Sequence, residues 1–570
     1  MLVDLLTPEG EKITDMPWQA YPRPQLKREQ WLCLNGRWDF TVTTEEALPE
    51  NYDKTILVPF CPESRLSGLK EHYPEGSFLC YRRELVLPEG FDRGRVLLHI
   101  GAADQVAEVF LNGRLLCTHT GGYEAFTAEL TAHLREKNEL VIRVTDDLRS
   151  KVLPYGKQTL KRGGMWYTPV SGIWQTVWLE SVPEEYIEKL DIEVDGEKAV
   201  ITLTPALTGT VTVDGKAYPV EEGRTVIAPE APHLWSPEDP HLYTFTVETQ
   251  QDRVESYFAL RSLEVKTVKG LPRLCLNGRP YFFHGLLDQG YWSDGIYTPA
   301  APQCYQRDIF AMKGLGFNTL RKHIKVEPEQ FYYDCDRYGM IVFQDMVNNG
   351  RYSFLRDTAL PTAGFQKLGD KRLHRDKATR KAFLDSMEAT VRQLKNHPCI
   401  CYWTIFNEGW GQFDSDRVYD IMKKLDDSRF IDSTSGWFRR KKSDVESLHI
   451  YFGSWDKLKP GQKPLVLSEF GGYCYRVPGH VFNEDQAYGY KACSSLVDFN
   501  RDLQKLYKEK VLPAAKQGLC AAIYTQVSDV EDEINGLLTY DRKACKADGD
   551  ELRSIAQLLQ RAVSEGKEEK

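Results

Sequence analysis

Residues 396–413 read NHPCICYWTIFNEGWGQF: a helix-stopping proline, an unbroken apolar run, then Asn407-Glu408 and a Gly-Trp-Gly turn. The run is short and rich in β-branched and aromatic residues, so it reads as a buried strand. Apolar surroundings are a poor place for a carboxylate unless something holds it or uses it. Glu408 is therefore either a salt-bridged strand end or an acid delivered to the mouth of a barrel.

The neighbouring sequence favours the barrel. In the preceding segment, Ala378, Phe383, Met387, Val391 and Leu394 recur at helical spacing, which predicts a helix over 376–395 that ends before Pro398. From residue 266 onward short apolar strands near 281, 317, 340, 400, 430, 448, 465 and 520 alternate with helices near 303–315, 327–338, 376–395, 414–426 and 484–517. Eight strands alternating with helices over about 300 residues predict a TIM barrel.

Upstream the grammar is all-β. Residues 1–182 carry runs such as GRWDFTV, NELVIRVTD and IWQTVWLESV, which alternate apolar and polar positions between turn residues, as an antiparallel sandwich requires. Asn112-Gly113 inside LNGRLL suits the positive φ angles of a tight hairpin turn. Residues 183–265, with AVITLTP, GTVTVDG and YTFTVET, suit an immunoglobulin-like sandwich of about seven short strands. The expected organisation is thus multidomain β plus α/β: 1–182 β-sandwich, 183–265 immunoglobulin-like sandwich, 266–570 TIM barrel.

Composition removes several function classes. A net charge of -9 leaves no basic stripe to displace phosphate counterions, which argues against nucleic acid. The start lacks a cationic region followed by an apolar core of about 7–15 residues, and no stretch approaches ~18 uninterrupted apolar residues, so the chain is expected to be cytoplasmic and off the membrane. Thirteen cysteines without framework spacing fit reduced thiols. Cys399 and Cys401 share a strand face and read as core, and no His/Cys cluster calls for a metal.

Chemistry in such a barrel sits at the C-terminal strand ends. Those positions hold Arg321 and His323, Asn407 and Glu408, His449 and Tyr451, Glu469, and Tyr524, Gln526 and Asp529. Glu408 and Glu469 both follow strongly apolar strands directly, on opposite sides of the barrel. Two carboxylates across a cleft are what glycosidic cleavage needs, one to protonate the leaving oxygen and one to attack or to activate water. Arg321 and Tyr451 are placed to donate to Glu469, Asn407 to a sugar hydroxyl, and Trp292, Trp410, Trp437 and Tyr524 to offer flat faces to a ring.

These residues carry a resemblance. The chain resembles glycoside hydrolase family 2, the family of β-galactosidases, β-glucuronidases and β-mannosidases, over nearly its whole length: YPRPQLKREQWLCLNGRWDF and GGMWYTPVSGIWQTVWLE in the first part, and Arg321, Asn407-Glu408, His449-Ile450-Tyr451 and Glu469 in the barrel. The resemblance implies a sugar-binding-like jelly roll, an immunoglobulin-like domain and a catalytic barrel. It further implies Glu408 as acid/base, Glu469 as nucleophile, and an exo-acting retaining β-glycosidase that needs no metal or cofactor.

Two departures bear on the sugar. Tyr524 stands where family members often have Trp, and the Asn-x-Lys element by which β-glucuronidases grip a uronate is here Glu533-Ile534-Asn535, without its lysine. The first barrel strand, FFHGLLDQGYWSDGIY, also departs from the family pattern, with Asp288, Gln289 and Trp292 expected to meet the sugar or aglycone. An acidic Glu533 would repel a uronate, so the expectation is a neutral sugar, β-galactosidase-like. The alternatives are a uronide hydrolase using contacts such as Arg351 or Arg476, and a non-catalytic carbohydrate-binding scaffold. The expected partner is a small glycoside or oligosaccharide, and the jelly roll is expected to buttress the barrel or to form the interface of a homo-oligomer.

Overall fold

The structure is a computed structural model that describes residues 1–360, 369–438 and 440–565. Its first unit is a sandwich. A four-stranded sheet (Trp31–Cys33, Val177–Val182, Arg95–Ile100, Phe126–Glu129) faces a six-stranded one (Lys54–Val58, Gly36–Thr43, Phe78–Leu85, Asn138–Thr145, Val106–Leu111, Arg114–Thr120). The inward residues of alternating strands, among them Phe40, Tyr81, Leu98, Val109 and Ile142, form one core. Asn112 (φ +53°) and Gly113 (φ +78°) close the predicted hairpin.

A second sandwich follows, built from a three-stranded sheet (Lys189–Asp195, Lys198–Thr204, Arg224–Ile227) and a four-stranded one (Lys216–Val220, Gly209–Val213, Tyr243–Thr249, Arg253–Phe258), with its own core. One buried guanidinium ties the two sandwiches together: Arg28 meets Asp252 at 2.8 Å and Glu180 at 3.4 Å.

The barrel comprises β1 (Phe283–Asp288), β2 (Thr319–Lys322), β3 (Ile341–Asp345), β4 (Ile400–Asn407), β5 (Phe430–Ser435), β6 (Glu446–Ile450), β7 (Leu465–Gly471) and β8 (Leu519–Thr525). All pair in parallel in the order β5-β4-β3-β2-β1-β8-β7-β6. All eight strands lie where the apolar runs placed them. Helices α1 (Gln303–Gly314), α2 (Glu329–Tyr338), α3 (Lys377–Leu394), α4 (Ser415–Leu425), α5 (Leu496–Leu506) and α6 (Gly549–Glu565) lie outside.

The structure differs from the expected barrel in two places. Among the described residues strands β5 and β6 form no ladder, so the barrel is nearly closed rather than closed, while no α-helix joins β5 to β6 or β6 to β7, in keeping with the helices read from the sequence. The helix expected over 484–517 begins only at Leu496, where the Ser495 side chain accepts from the Asp498 N–H as an N-cap. The stretch before it is a loop that pairs Lys491–Ala492 with Tyr473–Cys474.

Candidate active site

The site is organised around Arg321, which is fully buried on β2. Its five N–H donors meet five acceptors: Nε–H donates to Asp345 Oδ1 (3.0 Å), Nη1 to Ser468 O (3.0 Å) and Glu469 Oε1 (3.1 Å), and Nη2 to Asn407 Oδ1 (2.9 Å) and Ser435 Oγ (3.0 Å). One planar guanidinium therefore fixes groups from β3, β4, β5 and β7, which a lysine could not do. On its far side, the pKa of His323 is lowered by burial to about 4, so its neutral ring donates from Nδ1 to Asp345 Oδ2 at 2.8 Å.

Glu469 reaches this network because β7 bulges. Between Leu467 and Phe470 the register shifts against β8, and it shifts again against β6 at Leu448/His449. An extra residue of this kind re-aims the side chain beside it. The second oxygen of Glu469 accepts from the Tyr451 hydroxyl at 2.7 Å, and that hydroxyl is 2.8 Å from Thr525 Oγ1. Burial raises the Glu469 carboxyl, but His449 and Arg321 outweigh it and bring the pKa down to about 2. It is held as a carboxylate.

Glu408 sits one residue past β4 in a left-handed conformation (φ +50°), followed by Gly409 (φ +80°). Its N–H donates to Ser435 O at 3.0 Å, and its Oε1 is 2.7 Å from His449 Nδ1. The turn swings the carboxylate across the mouth toward Glu469: oxygens of the two acids and a ring nitrogen of His449 all lie within 4.8 Å of one another. Three such groups are also spaced to accept a metal ion. The guanidinium of Arg321, 3.1 Å from Glu469, opposes a cation there.

The amide of Asn407 is oriented by its two donors, Arg321 and Ser435, both on Oδ1 (2.9 and 2.8 Å). Its NH2 is thereby left for another acceptor. Trp437, half-buried, sets its ring edge-on to His449 at 5.7 Å.

The comparisons with known proteins bear on this geometry. The profile of "Glycosyl hydrolases family 2, TIM barrel domain" matches residues 267–560, and that of "Glycosyl hydrolases family 2" matches 185–261. The chain belongs to glycoside hydrolase family 2. The β-glucuronidase of Pongo abelii is 25% identical over 539 residues, covering 79% of this chain and 79% of that one. The β-galactosidase of Thermoanaerobacter pseudethanolicus is 23% identical over 431 residues, covering 69% of this chain and 54% of that one. The structure of a β-D-glucuronidase from Dictyoglomus thermophilum superposes with a TM-score of 0.71 at 18% identity over 96% of this chain and 99% of that one, a likeness of fold. This family 2 member is a glycoside hydrolase.

The structure brings Glu408, Glu469, Arg321, Asn407, His449, Tyr451 and Trp437 together; the five other expected sugar contacts are packed against protein groups or buried. Tyr524 follows Ile523 and precedes Thr525, and since Thr525 faces the site, period-two alternation turns Tyr524 outward, against Phe470 and Tyr507. Trp292 is buried under Arg542 (4.2 Å) and against Tyr305. Trp410 is covered by Trp166, stacked at 5.2 Å, so it forms a wall and not an open platform. Asp288 has both oxygens engaged, by Lys322 Nζ (2.7 Å) and the Gly290 N–H (2.9 Å). Gln289 is buried, and its Oε1 has no partner among the described residues.

Other residues at the mouth come from two segments that carry no periodic signal. The loop YGKQTLKRGGMWYT (155–168) of the first sandwich lies over the barrel: Trp166 stacks on Trp410, the Tyr167 hydroxyl donates to Glu533, and the Thr168 N–H donates to Glu531 at 2.9 Å. The loop before α5 contributes Tyr490, stacked on Tyr451 at 3.7 Å, and Tyr488 beside it. The signal available in the first segment was its density of aromatic and basic residues around Gly163-Gly164. The second was hidden by the expected helix.

Proposed function

We propose that this family 2 enzyme is an exo-acting retaining β-glycosidase that removes a terminal β-linked uronic acid. The carrying observation is the carboxylate pair, with acid oxygens within 4.8 Å and unlike surroundings. Retaining enzymes hold their carboxyl groups about 5–5.5 Å apart, whereas inverting ones leave about 6.5–9.5 Å for a water. Glu469, kept ionised by Arg321 and Tyr451, attacks the anomeric carbon. Glu408, beside His449, gives its proton to the departing glycosidic oxygen, and then takes one from the water that releases the sugar. Asn407 offers its amide to the hydroxyl next to the reacting carbon. The loop of the first sandwich and the tyrosines before α5 cover the mouth, which favours a terminal residue over an internal one.

The uronide preference is supported by β-glucuronidases among the relatives, of Pongo abelii and of Homo sapiens alike. A neutral sugar is the second reading, favoured by Glu533-Ile534-Asn535, which lacks the lysine expected there, and by the β-galactosidase relative. Initial rates on p-nitrophenyl β-glucuronide, β-galacturonide, β-galactoside, β-glucoside and β-mannoside separate the two. Glu469→Ala is expected to abolish turnover of whichever glycoside the wild type cleaves while leaving the melting curve cooperative. Near-wild-type turnover by that variant would remove the nucleophile assignment.

A further inference from the structure

Lys157 has no role in the chemistry above, yet it stands at its edge. The residue is 6% exposed, in the first-sandwich loop that lies over the barrel, with Nζ 4.9 Å from the ring centre of Trp410 and 6.0 Å from that of Tyr167. Among the described residues its ammonium makes no hydrogen bond and no ion pair. The chain treats its other buried lysines differently. Lys322 meets Asp288 and Glu327, Lys325 meets Glu327 and the carbonyls of Gly290 and Tyr297, and Lys546 meets Asp529 and the carbonyls of Tyr475 and Ile534. Burial lowers the Lys157 pKa, and an ammonium with no protein acceptor in so closed a place is costly to keep charged unless an anion arrives.

The charges around Lys157 say which acceptor is missing. Its electrostatic neighbours are Glu533, then Glu469 and Glu408, with Arg321 opposing. Each of these carboxylates is already engaged: Glu533 by the Tyr167 hydroxyl and the Asn535 amide, Glu469 by Arg321 and Tyr451, Glu408 by His449. Burial also pushes the Glu533 carboxyl up, which lessens its repulsion of a second anion. Lys157 thus faces the loop after β8, where Glu533 stands, with donors free and an aromatic wall behind it.

We infer that Lys157 is the residue that binds the C5 carboxylate of the terminal sugar, so that the first sandwich supplies the uronate contact that the loop after β8 lacks. This rests on the uronide reading. An ammonium–carboxylate contact is charge-assisted and stronger than one to a neutral hydroxymethyl group, so the same lysine selects against the neutral sugar.

The test compares wild type, Lys157→Met and Lys157→Arg on p-nitrophenyl β-glucuronide, β-galacturonide, β-glucoside and β-galactoside. Wild type is expected to prefer a uronide. Lys157→Met is expected to lower the uronide-to-neutral ratio of kcat/KM by about 30-fold or more, chiefly through KM, and Lys157→Arg to recover part of it. If wild type cleaves a uronide and Lys157→Met leaves the ratio unchanged, the uronide reading stands and this inference falls. If wild type cleaves only neutral glycosides, both fall. Should Lys157→Met fail to fold, inhibition of the wild type decides: free D-glucuronate is expected to compete at least about 10-fold better than D-glucose, and equal inhibition overturns the assignment.

Discussion

At the scale of single residues, Arg321 controls both charge and order. Replacing it with Met leaves Asp345 and Glu469 buried without their cation, which is expected to cost about 3–5 kcal/mol and to show in the melting temperature. The sign of the pH effect follows from the Glu469 carboxyl, which lies near 2 in the fold against about 4.3 in an unfolded chain. Its ionised form contributes stability in full above about pH 4.3, and that contribution is lost as pH falls toward 2. In Arg321→Met the carboxyl rises, so the acid limb of kcat/KM is expected to move up by at least about one unit. An unmoved limb would mean that another group sets it. The residues of this network were legible only together: each alone could be a salt-bridged strand end, but Arg321, Asn407-Glu408, His449-Ile450-Tyr451 and Glu469 fall at the C-terminal ends of four barrel strands. The packing of Trp292, Trp410 and Tyr524 was not legible, because an aromatic ring does not say which of its faces is covered. Lys157 was invisible because its neighbours come from a distant part of the chain.

At the scale of elements, the turn after β4 carries the acid. Gly409 has φ +80°, and a Cβ there would lie 2.3 Å from Phe438 Cε2. Gly409→Ala is expected to destabilise the fold by more than about 1 kcal/mol and to lower kcat/KM by displacing Glu408, whereas Gly314→Ala, at the end of α1 with open space around it, should leave both unharmed. Thermal melts and rates on the pair would separate strain at the turn from a general effect of added methyl groups. The barrel strands were readable from their buried runs, but the start of α5 was not, because the local cue was only Ser495 three residues before Asp498. The bulge in β7 had no cue at all: an extra residue in a ladder is defined by its partner strands, which the linear pattern does not name.

At the scale of the whole molecule, the barrel does not own its active site. Glu180 of the first sandwich is buried, and although burial raises its carboxyl, Arg23, His99 and Arg28 pull it far below the usual range, while Arg28 also pairs with Asp252 of the second sandwich. Arg28→Ala leaves two buried carboxylates short of a cation and is expected to cost about 3–5 kcal/mol, measurable as a shift in the denaturant midpoint. The all-β character of the two sandwiches was foreseeable from their alternation and turns; the order of strands in their sheets and the docking of the 155–168 loop onto the barrel were not, since loops carry no period to read. That loop also divides inheritance. The groups proposed to break the bond lie at barrel strand ends held together by a single guanidinium, while the contact proposed to select the sugar lies on a loop of another domain and makes no hydrogen bond to that guanidinium network. Mutations can therefore rewrite the diet of such an enzyme without passing through a catalytically dead ancestor.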